Sequence, residues 1–336
     1  MAANYHVVGI GNAIVDVLAQ ADDAFIAENG LNRGTMTLID AAQAERLYAK
    51  MGPGLEVSGG SAANTMAGIA SLGGNGAYIG KVCDDQLGAV FRHDIRAAGV
   101  TFESQPVRGP DAPPTARCLI LVTPDAQRTM NTFLGACVEL GPEDIDPAMI
   151  ARAQVTYLEG YLWDRPKAKE AFVKAATLAH AAGRRVSLSL SDPFCVERHR
   201  DSFRELVANH VDILFANDEE VRSLFQAATL DEAIHALHGD CELVAITRSG
   251  DGSVVLDGMT TYEVPADPVE RVVDTTGAGD LYAAGFLWGF TQGRHPAECG
   301  RIGSIAAAEV VGHYGARPER SLADLVAETL GRSEGY

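Results

Sequence analysis

The sequence predicts an α/β fold, a mostly parallel sheet between helix layers with a small β-strand lid attached. Two observations predict the core. Short apolar runs rich in β-branched residues alternate with longer segments of helical period. The runs are apolar on both faces, as strands covered on both sides must be. A third observation predicts the appendage: two strand-like runs lie back to back around a turn and break the alternation.

In chain order the strand runs are 6–10, 77–82, 155–159, 186–190, 211–215 and 243–247. The helical segments are 85–98, 166–182, 218–225, 231–237, 280–292 and 296–311. Several open on Asp or Pro and stop at a glycine such as Gly99 or Gly183, the usual start and stop chemistry of helices. The hairpin comprises 115–123, the turn Pro124-Asp-Ala-Gln127, and 128–134, while 34–39 is a further isolated strand. These assignments divide the chain into a core of 1–16, 46–106 and 136–336 and a lid of 17–45 and 107–135. The plainer alternative makes the hairpin an edge of the main sheet.

With 336 residues, 47% hydrophobic and 21% charged, the chain is long enough for a large core and ordinary for a globular protein. A net charge of −18 argues against nucleic acid or an anionic membrane as the main partner, because both need clustered Lys and Arg. It leaves room for a small anion, which backbone N–H groups hold even inside a negative molecule. Met1-Ala-Ala-Asn-Tyr-His has no basic stretch before its apolar run and makes a poor signal peptide. No run approaches the roughly 18 apolar residues of a membrane span. Six scattered cysteines without a CxxC pair fit thiols in a reducing, cytoplasmic setting.

The densest chemistry lies in Val273-Asp-Thr-Thr-Gly-Ala-Gly-Asp280. Leu281, Ala284, Gly285 and Trp288 recur at helical spacing, so a helix with one apolar face starts near Asp280. Gly277, Ala278 and Gly279 leave their N–H groups unshielded at its positive end, which makes a pocket for an anion. A carboxylate in the same turn suits phosphoryl transfer, with donors for the phosphoryl oxygens and Asp280 as base for an attacking hydroxyl. A helix start with an acid in its first turn is the plainer alternative, and this stretch alone does not choose.

Ser58-Gly-Gly-Ser-Ala-Ala-Asn64 sets Gly59 and Gly60 before a helix running to Leu72, with Asn64 one turn in. Open backbone and an amide suit a polyol, although a capped glycine turn looks the same. A serine-hydrolase elbow is excluded, because Ala63 stands at its last glycine. After the first strand, Gly11-Asn12-Ala-Ile-Val-Asp16 puts an amide and a carboxylate where ligands of α/β sheets collect. Asp16 there can hold two vicinal hydroxyls, or the stretch is a solvent-facing loop. Asn217-Asp-Glu-Glu220 follows another strand, and its acids either order water around Mg²⁺ or simply favour the helix dipole. The loop Thr247-Arg-Ser-Gly-Asp-Gly252 has the glycines, Gly250 and Gly252, to admit a nucleotide. Walker A fails at Asn75 and Val82, and the dinucleotide fingerprint fails at Ile14.

Gly59-Gly60-Ser-Ala-Ala-Asn64 and Asp274-Thr-Thr-Gly-Ala-Gly-Asp280, in that order, resemble the two signatures of the ribokinase-like (PfkB) carbohydrate kinase family. The likeness runs over nearly the whole chain, and Asn217-Asp-Glu-Glu220 resembles the family's Asn-x-x-Glu element. The resemblance implies an α/β core, a β-lid that closes over the substrate, and ATP and Mg²⁺ as cofactors. It implies phosphoryl transfer to a primary hydroxyl of a small nucleoside or sugar. A monovalent cation such as K⁺, and the choice of monomer or homodimer, stay open.

Within the family the chain is most similar to adenosine kinases, through residues 11–16, 157–162, 188–194 and 211–217. By that likeness Asp16 and Asn64 bind ribose hydroxyls with the Gly59 and Gly60 backbone, and Asn12, Leu38, Cys118, Leu134 and Leu162 surround the nucleobase. Arg128 reaches the transferred phosphoryl group, Gly277 to Gly279 form the anion hole, and Asp280 is the base. Asn217, Thr247, Gly250, Gly252 and Thr276 lie along ATP, and Glu220 acts on Mg²⁺ through water. Tyr161-Leu162-Trp163, Met36 and Ser249 depart from the usual pattern. Guanosine, inosine, ribose and fructose therefore remain alternative acceptors, with a non-catalytic nucleotide-binding protein more remote.

Overall fold

The computed structural model describes residues 4–125 and 127–333. Ala126 of the expected hairpin turn, and residues 1–3 and 334–336 of the expected core, lie outside them. Among the described residues the strands are β1 (Tyr5–Ile10), β2 (Ile14–Gln20), β3 (Met36–Leu38), β4 (Gly54–Gly59), β5 (Gly76–Ile79), β6 (Thr101–Phe102) and β7 (Ala116–Val122). They continue as β8 (Arg128–Phe133), β9 (Ala153–Glu159), β10 (Arg185–Ser189), β11 (Ile213–Asn217), β12 (Leu243–Thr247), β13 (Ser253–Asp257) and β14 (Thr260–Val264).

Nine strands form the main sheet in the order β14-β13-β12-β11-β10-β9-β1-β5-β6. It is parallel from β6 to β12, and β13 and β14 turn antiparallel at one edge. Adjacent residues of β1 go to opposite layers. Val8 and Ile10 pack with Leu158 and Phe172 on one side, and Val7 packs with Met66, Tyr78 and Phe286 on the other. Each such fully buried side chain contributes about 1.5–3 kcal/mol. The helices Pro166–Ala181 and Pro193–His210 cover the first face, and Ser61–Ser71, Gln86–Ala97 and Ala278–Thr291 cover the second.

The expected hairpin is β7 and β8, and it belongs to a separate five-stranded sheet in the order β3-β8-β7-β2-β4. The segment 34–39 supplies β3. β2 and β4 are additions to the expected strands: Asp16 lies within a strand rather than a loop, and Gly54–Gly59 joins the small sheet from inside the 46–106 segment given to the core. Polar Asp16 and Ser58, with Gly54 and Gly59, interrupt the apolar signal of both strands.

The helix at the Gly-rich motif also differs from expectation. It begins at Ala278, with Asp280 in its first turn, and it is buried nearly all round rather than on one face. Small residues allow this. A Cβ on Gly68 would meet that of Ala284 at 2.6 Å, and one on Gly285 would meet the Ile302 carbonyl oxygen at 2.6 Å. The helix is therefore wedged between Ser61–Ser71 and Pro296–Val310. Among the described residues no helix is long and apolar enough to cross a membrane, and the six cysteines are free.

Candidate active site

Two helix starts meet at Asp280. Gly277 precedes one, with φ 81°, and a Cβ there would stand 2.7 Å from that of Ala316. Gly60 precedes the other, with φ 95°, and its Cβ would fall 2.2 Å from the Asn12 carbonyl oxygen. Both positions thus require glycine for conformation and for space. The Asp280 carboxylate accepts from Ser61 Oγ at 2.6 Å and from Asn64 Nδ2 at 3.0 Å. Burial raises its pKa above the ordinary carboxylate value, against those two bonds. Ala278 and Gly279 sit in the same first turn, where the Ala278 N–H donates to the Thr275 carbonyl oxygen at 3.2 Å and a Cβ on Gly279 would meet nothing within 4 Å.

Glu159, at the end of β9, braces this junction. Its carboxylate accepts from the Asn12 N–H at 3.3 Å, Asn12 Nδ2 at 2.9 Å and the Ala62 N–H at 2.8 Å. It is buried, and desolvation pushes it up to about 7 despite those donors. Asn12 is therefore turned inward by Glu159.

The small sheet contributes a row. Register aligns Leu38 with Thr132, Thr132 with Cys118, Cys118 with Asp16, and Asp16 with Val57. Cross-strand partners share a face, so Leu38, Thr132, Cys118, Asp16 and Val57 form one row, in which the carboxylate is flanked by Cys118 and Val57 and Leu38 stands beyond Thr132. Leu134 is half-buried just beyond β8. The Asp16 carboxylate lies over Gly59, where a Cβ would come within 2.2 Å of its Oδ2. Burial pushes Asp16 up to about 7. Arg317 and Arg128 oppose that rise, and Asp280 adds to it.

Arg128 reaches from β8 to the helix start, pairing with Asp274 and donating to Thr276 Oγ1 at 2.8 Å. Asp274 also accepts from the Thr276 N–H and the Gly315 N–H, both at 3.0 Å. Arg317 donates through Nε to Asn64 Oδ1 at 3.4 Å.

At the other end, Asn217 and Thr247 are register partners in β11 and β12. Asn217 and Glu220 form a reciprocal cap. Glu220 accepts from the Asn217 N–H at 2.9 Å and Nδ2 at 2.8 Å, while Asn217 Oδ1 accepts from the Glu220 N–H. Desolvation pushes the buried Glu220 up to about 7. Its oxygens keep lone pairs for metal-bound water, so the residue fits Mg²⁺ held at one remove. Among the described residues no three His, Cys, Asp or Glu side chains converge as a metal cage.

Two expected site residues are placed elsewhere. Leu162 is 2% exposed inside the core with Trp163 and Phe172, because the short helix after β9 turns it away from the cleft. Gly252 is also buried. With φ 83° and the Val264 carbonyl oxygen 2.1 Å from its would-be Cβ, it serves the β12–β13 connection, and Gly250 is the open member of that loop. Ser61, Glu159, Asp274 and Arg317 are the additions. Asp274 and Ser61 sat inside the two glycine motifs, Glu159 sat in the 157–162 stretch without a role assigned to it, and Arg317 lay outside every stretch that the sequence singled out.

Comparison with known proteins gives the family. The model of the pfkB family carbohydrate kinases matches residues 39–321. An ATP-dependent ribose-1-phosphate kinase of Halopiger xanaduensis is 34% identical over 274 residues, 81% of this chain and 86% of that protein. The structure of an adenosine kinase from Sinorhizobium meliloti superposes with a TM-score of 0.90 at 54% identity, covering 99% of this chain and 100% of that one. A probable sugar kinase from Rhizobium etli gives a TM-score of 0.91 at 50% identity, covering 98% and 99%. With the two glycine-led helix starts joined at Asp280, this chain belongs to the pfkB family of carbohydrate kinases.

Proposed function

We propose that this ATP-using kinase phosphorylates the 5′-hydroxyl of adenosine, giving AMP and ADP. The observation that carries the reading is the row Leu38–Cys118–Asp16 facing the Asp280 junction: an apolar surface for a base, a carboxylate for a ribose, and a base for the reacting hydroxyl. The 54% identity to the Sinorhizobium meliloti adenosine kinase supports the same acceptor.

In this reading Asp16 accepts from the two vicinal ribose hydroxyls, with the Gly59 and Gly60 backbone beside them. Asp280 takes the proton of the attacking hydroxyl as the new O–P bond forms and the bond to the β-phosphate bridging oxygen breaks. Ser61 and Asn64 hold the Asp280 carboxylate still for that step. The N–H groups of Gly277 to Gly279 and the Arg128 guanidinium meet charge on the phosphoryl oxygens. Mg²⁺ bound with ATP neutralises phosphate charge, and Glu220 and Asn217 would order its waters. The small sheet acts as the lid, excluding water that would otherwise take the phosphoryl group.

A ribose phosphate is the second reading. Two guanidiniums, Arg128 and Arg317, bear on Asp16, and the Halopiger relative carries the name of a ribose-1-phosphate kinase. Coupled ADP release with Mg-ATP across adenosine, guanosine, inosine, cytidine, ribose, fructose and ribose 1-phosphate decides. Selective turnover of adenosine supports the proposal, and preference for ribose 1-phosphate replaces it. Repeating the assay in K⁺ and in tetramethylammonium salts tests the monovalent cation.

A further inference from the structure

The segment between the helices Pro296–Val310 and Leu322–Ser333 carries no regular structure but is tied down at its far end. Glu309 accepts from the Glu319 and Arg320 N–H groups, both at 3.0 Å, and the Leu322 N–H donates to Ser71 Oγ at 3.0 Å. Four consecutive residues of this strap touch the site. The Tyr314 ring faces the Arg128 guanidinium at 5.7 Å, Gly315 donates to Asp274, Ala316 packs on Gly277, and Arg317 donates to Asn64.

We propose that Arg317 is a positioning residue for the acceptor, fixing the amide of Asn64 and countering the charge of Asp16 from the strap; this rests on the acceptor-site reading above. A guanidinium only donates, so it can pair only with the amide oxygen of Asn64. That choice turns Nδ2 toward Asp280, where it donates at 3.0 Å. The Nη2 of Arg317 is buried and unpartnered among the described residues, a donor available to an acceptor oxygen.

The charges around both groups agree. Asp16 is faced by Arg317 and Arg128 as counter-charges and by Asp280 as a like charge. Cys118, its register partner, is a buried thiol pushed up to about 12 and therefore neutral. Arg317 is faced by Asp16, by Asp94 of Gln86–Ala97 and by Tyr78 of β5. Burial lowers the affinity of the guanidinium for its proton, but an arginine remains charged at neutral pH.

Removing the cation leaves Asp16 harder to ionise, so acceptor affinity should be lost at a higher pH than in the native chain. Acceptor dissociation constants are measured by calorimetry between about pH 5.5 and 9 for native, Arg317→Gln and Arg317→Lys chains, beside ATP KM. The ligand is adenosine, or whichever member of the acceptor panel the native chain turns over. Failure of adenosine alone thus corrects the acceptor while Arg317 is still judged. The expected result for Arg317→Gln is acceptor binding weakened by about 10- to 100-fold, with ATP KM nearly unchanged and the pH midpoint moved up. Lysine restores the midpoint and part of the affinity. Native-like acceptor binding in Arg317→Gln overturns the proposal, as does an equal rise in both constants that lysine does not rescue. Should the glutamine variant not fold, Arg317→Lys decides alone. Weaker acceptor binding at an unmoved midpoint supports the role, and unchanged binding removes it.

Discussion

Asp280 and Asp16 are two carboxylates of one cleft with different surroundings. Asp280 is held by two side-chain donors, whereas Asp16 is balanced chiefly by charge from Arg317 and Arg128. A base contributes about 10²–10⁴ in rate, so Asp280→Asn should lower kcat by that range while leaving both dissociation constants nearly native. Near-native kcat would remove Asp280 as the base. For Asp16 the sign of the pH effect is set by a folded pKa of about 7 above an ordinary 3.8. The folded chain then holds a proton that the unfolded chain releases, and stability falls as pH rises through this window. Asp16→Asn should therefore stabilise the unliganded chain at pH 8, by about 1–2 kcal/mol after allowance for its partial exposure, while weakening acceptor binding. The gain should shrink as pH falls and vanish only below about pH 3, where both states are protonated. Melting curves across pH check it, and a melting temperature that drops at pH 8 contradicts it. These two acids were legible in the sequence because each lies in a short motif. Glu159 and Arg317 were not, because each acts on a residue far along the chain: Glu159 on Asn12, Arg317 on Asn64.

At the scale of elements, the site is the place where two glycine-led helices and a strap converge. Gly277 and Gly279 lie two residues apart and should behave oppositely. Alanine at 277 must adopt φ 81° and press on Ala316, so Gly277→Ala should cost about 1–3 kcal/mol and displace the strap with it. Alanine at 279 meets nothing within 4 Å, so its melting temperature should stay native. Its methyl would, however, stand among the N–H groups offered to phosphate, and kcat should fall. Comparing melting curves with turnover separates the two, and a stable, active Gly277→Ala would refute the packing argument. The parallel strands and covering helices of the core were legible because apolar runs of fixed period dominate them. β2 and β4 were not, because their cleft-facing positions carry Asp16 and Gly59, which serve the site at the expense of the strand pattern. The helix Ala278–Thr291 shows the reverse limit: its period was clear, but burial on all sides depends on glycines in neighbouring helices.

At the scale of the whole molecule, the small sheet has one face packed and one that is exposed toward its edge strands. Val17, Ala19, Leu119 and Leu121 are buried with Ile26 of the helix Asp23–Glu28 and Leu47 of the helix Ala41–Tyr48. The opposite face carries the Asp16 row and, one register step out, Met36, Met130, Ile120, Leu18 and Leu55. Of these apolar residues Leu55 is 65% exposed, Leu38 50% and Met36 44%, which is uneconomical for a sheet that stays open. If this face closes on a bound nucleoside, the leucines and methionine leave water together with the ligand. Acceptor binding should then carry a heat-capacity change more negative than burial of the nucleoside alone can supply. ATP, which the proposed reading puts along β11 and β12, should not show the excess. Leu38→Ser should reduce that excess and weaken acceptor binding, with ATP KM and melting temperature held, because Leu38 contributes nothing to the packed face. Calorimetry over a range of temperatures measures it directly. A heat-capacity change matching the ligand's own surface, unaltered in Leu38→Ser, would mean that the sheet is a fixed wall. Exclusion of water from Asp280 would then have to come from the strap at Arg317.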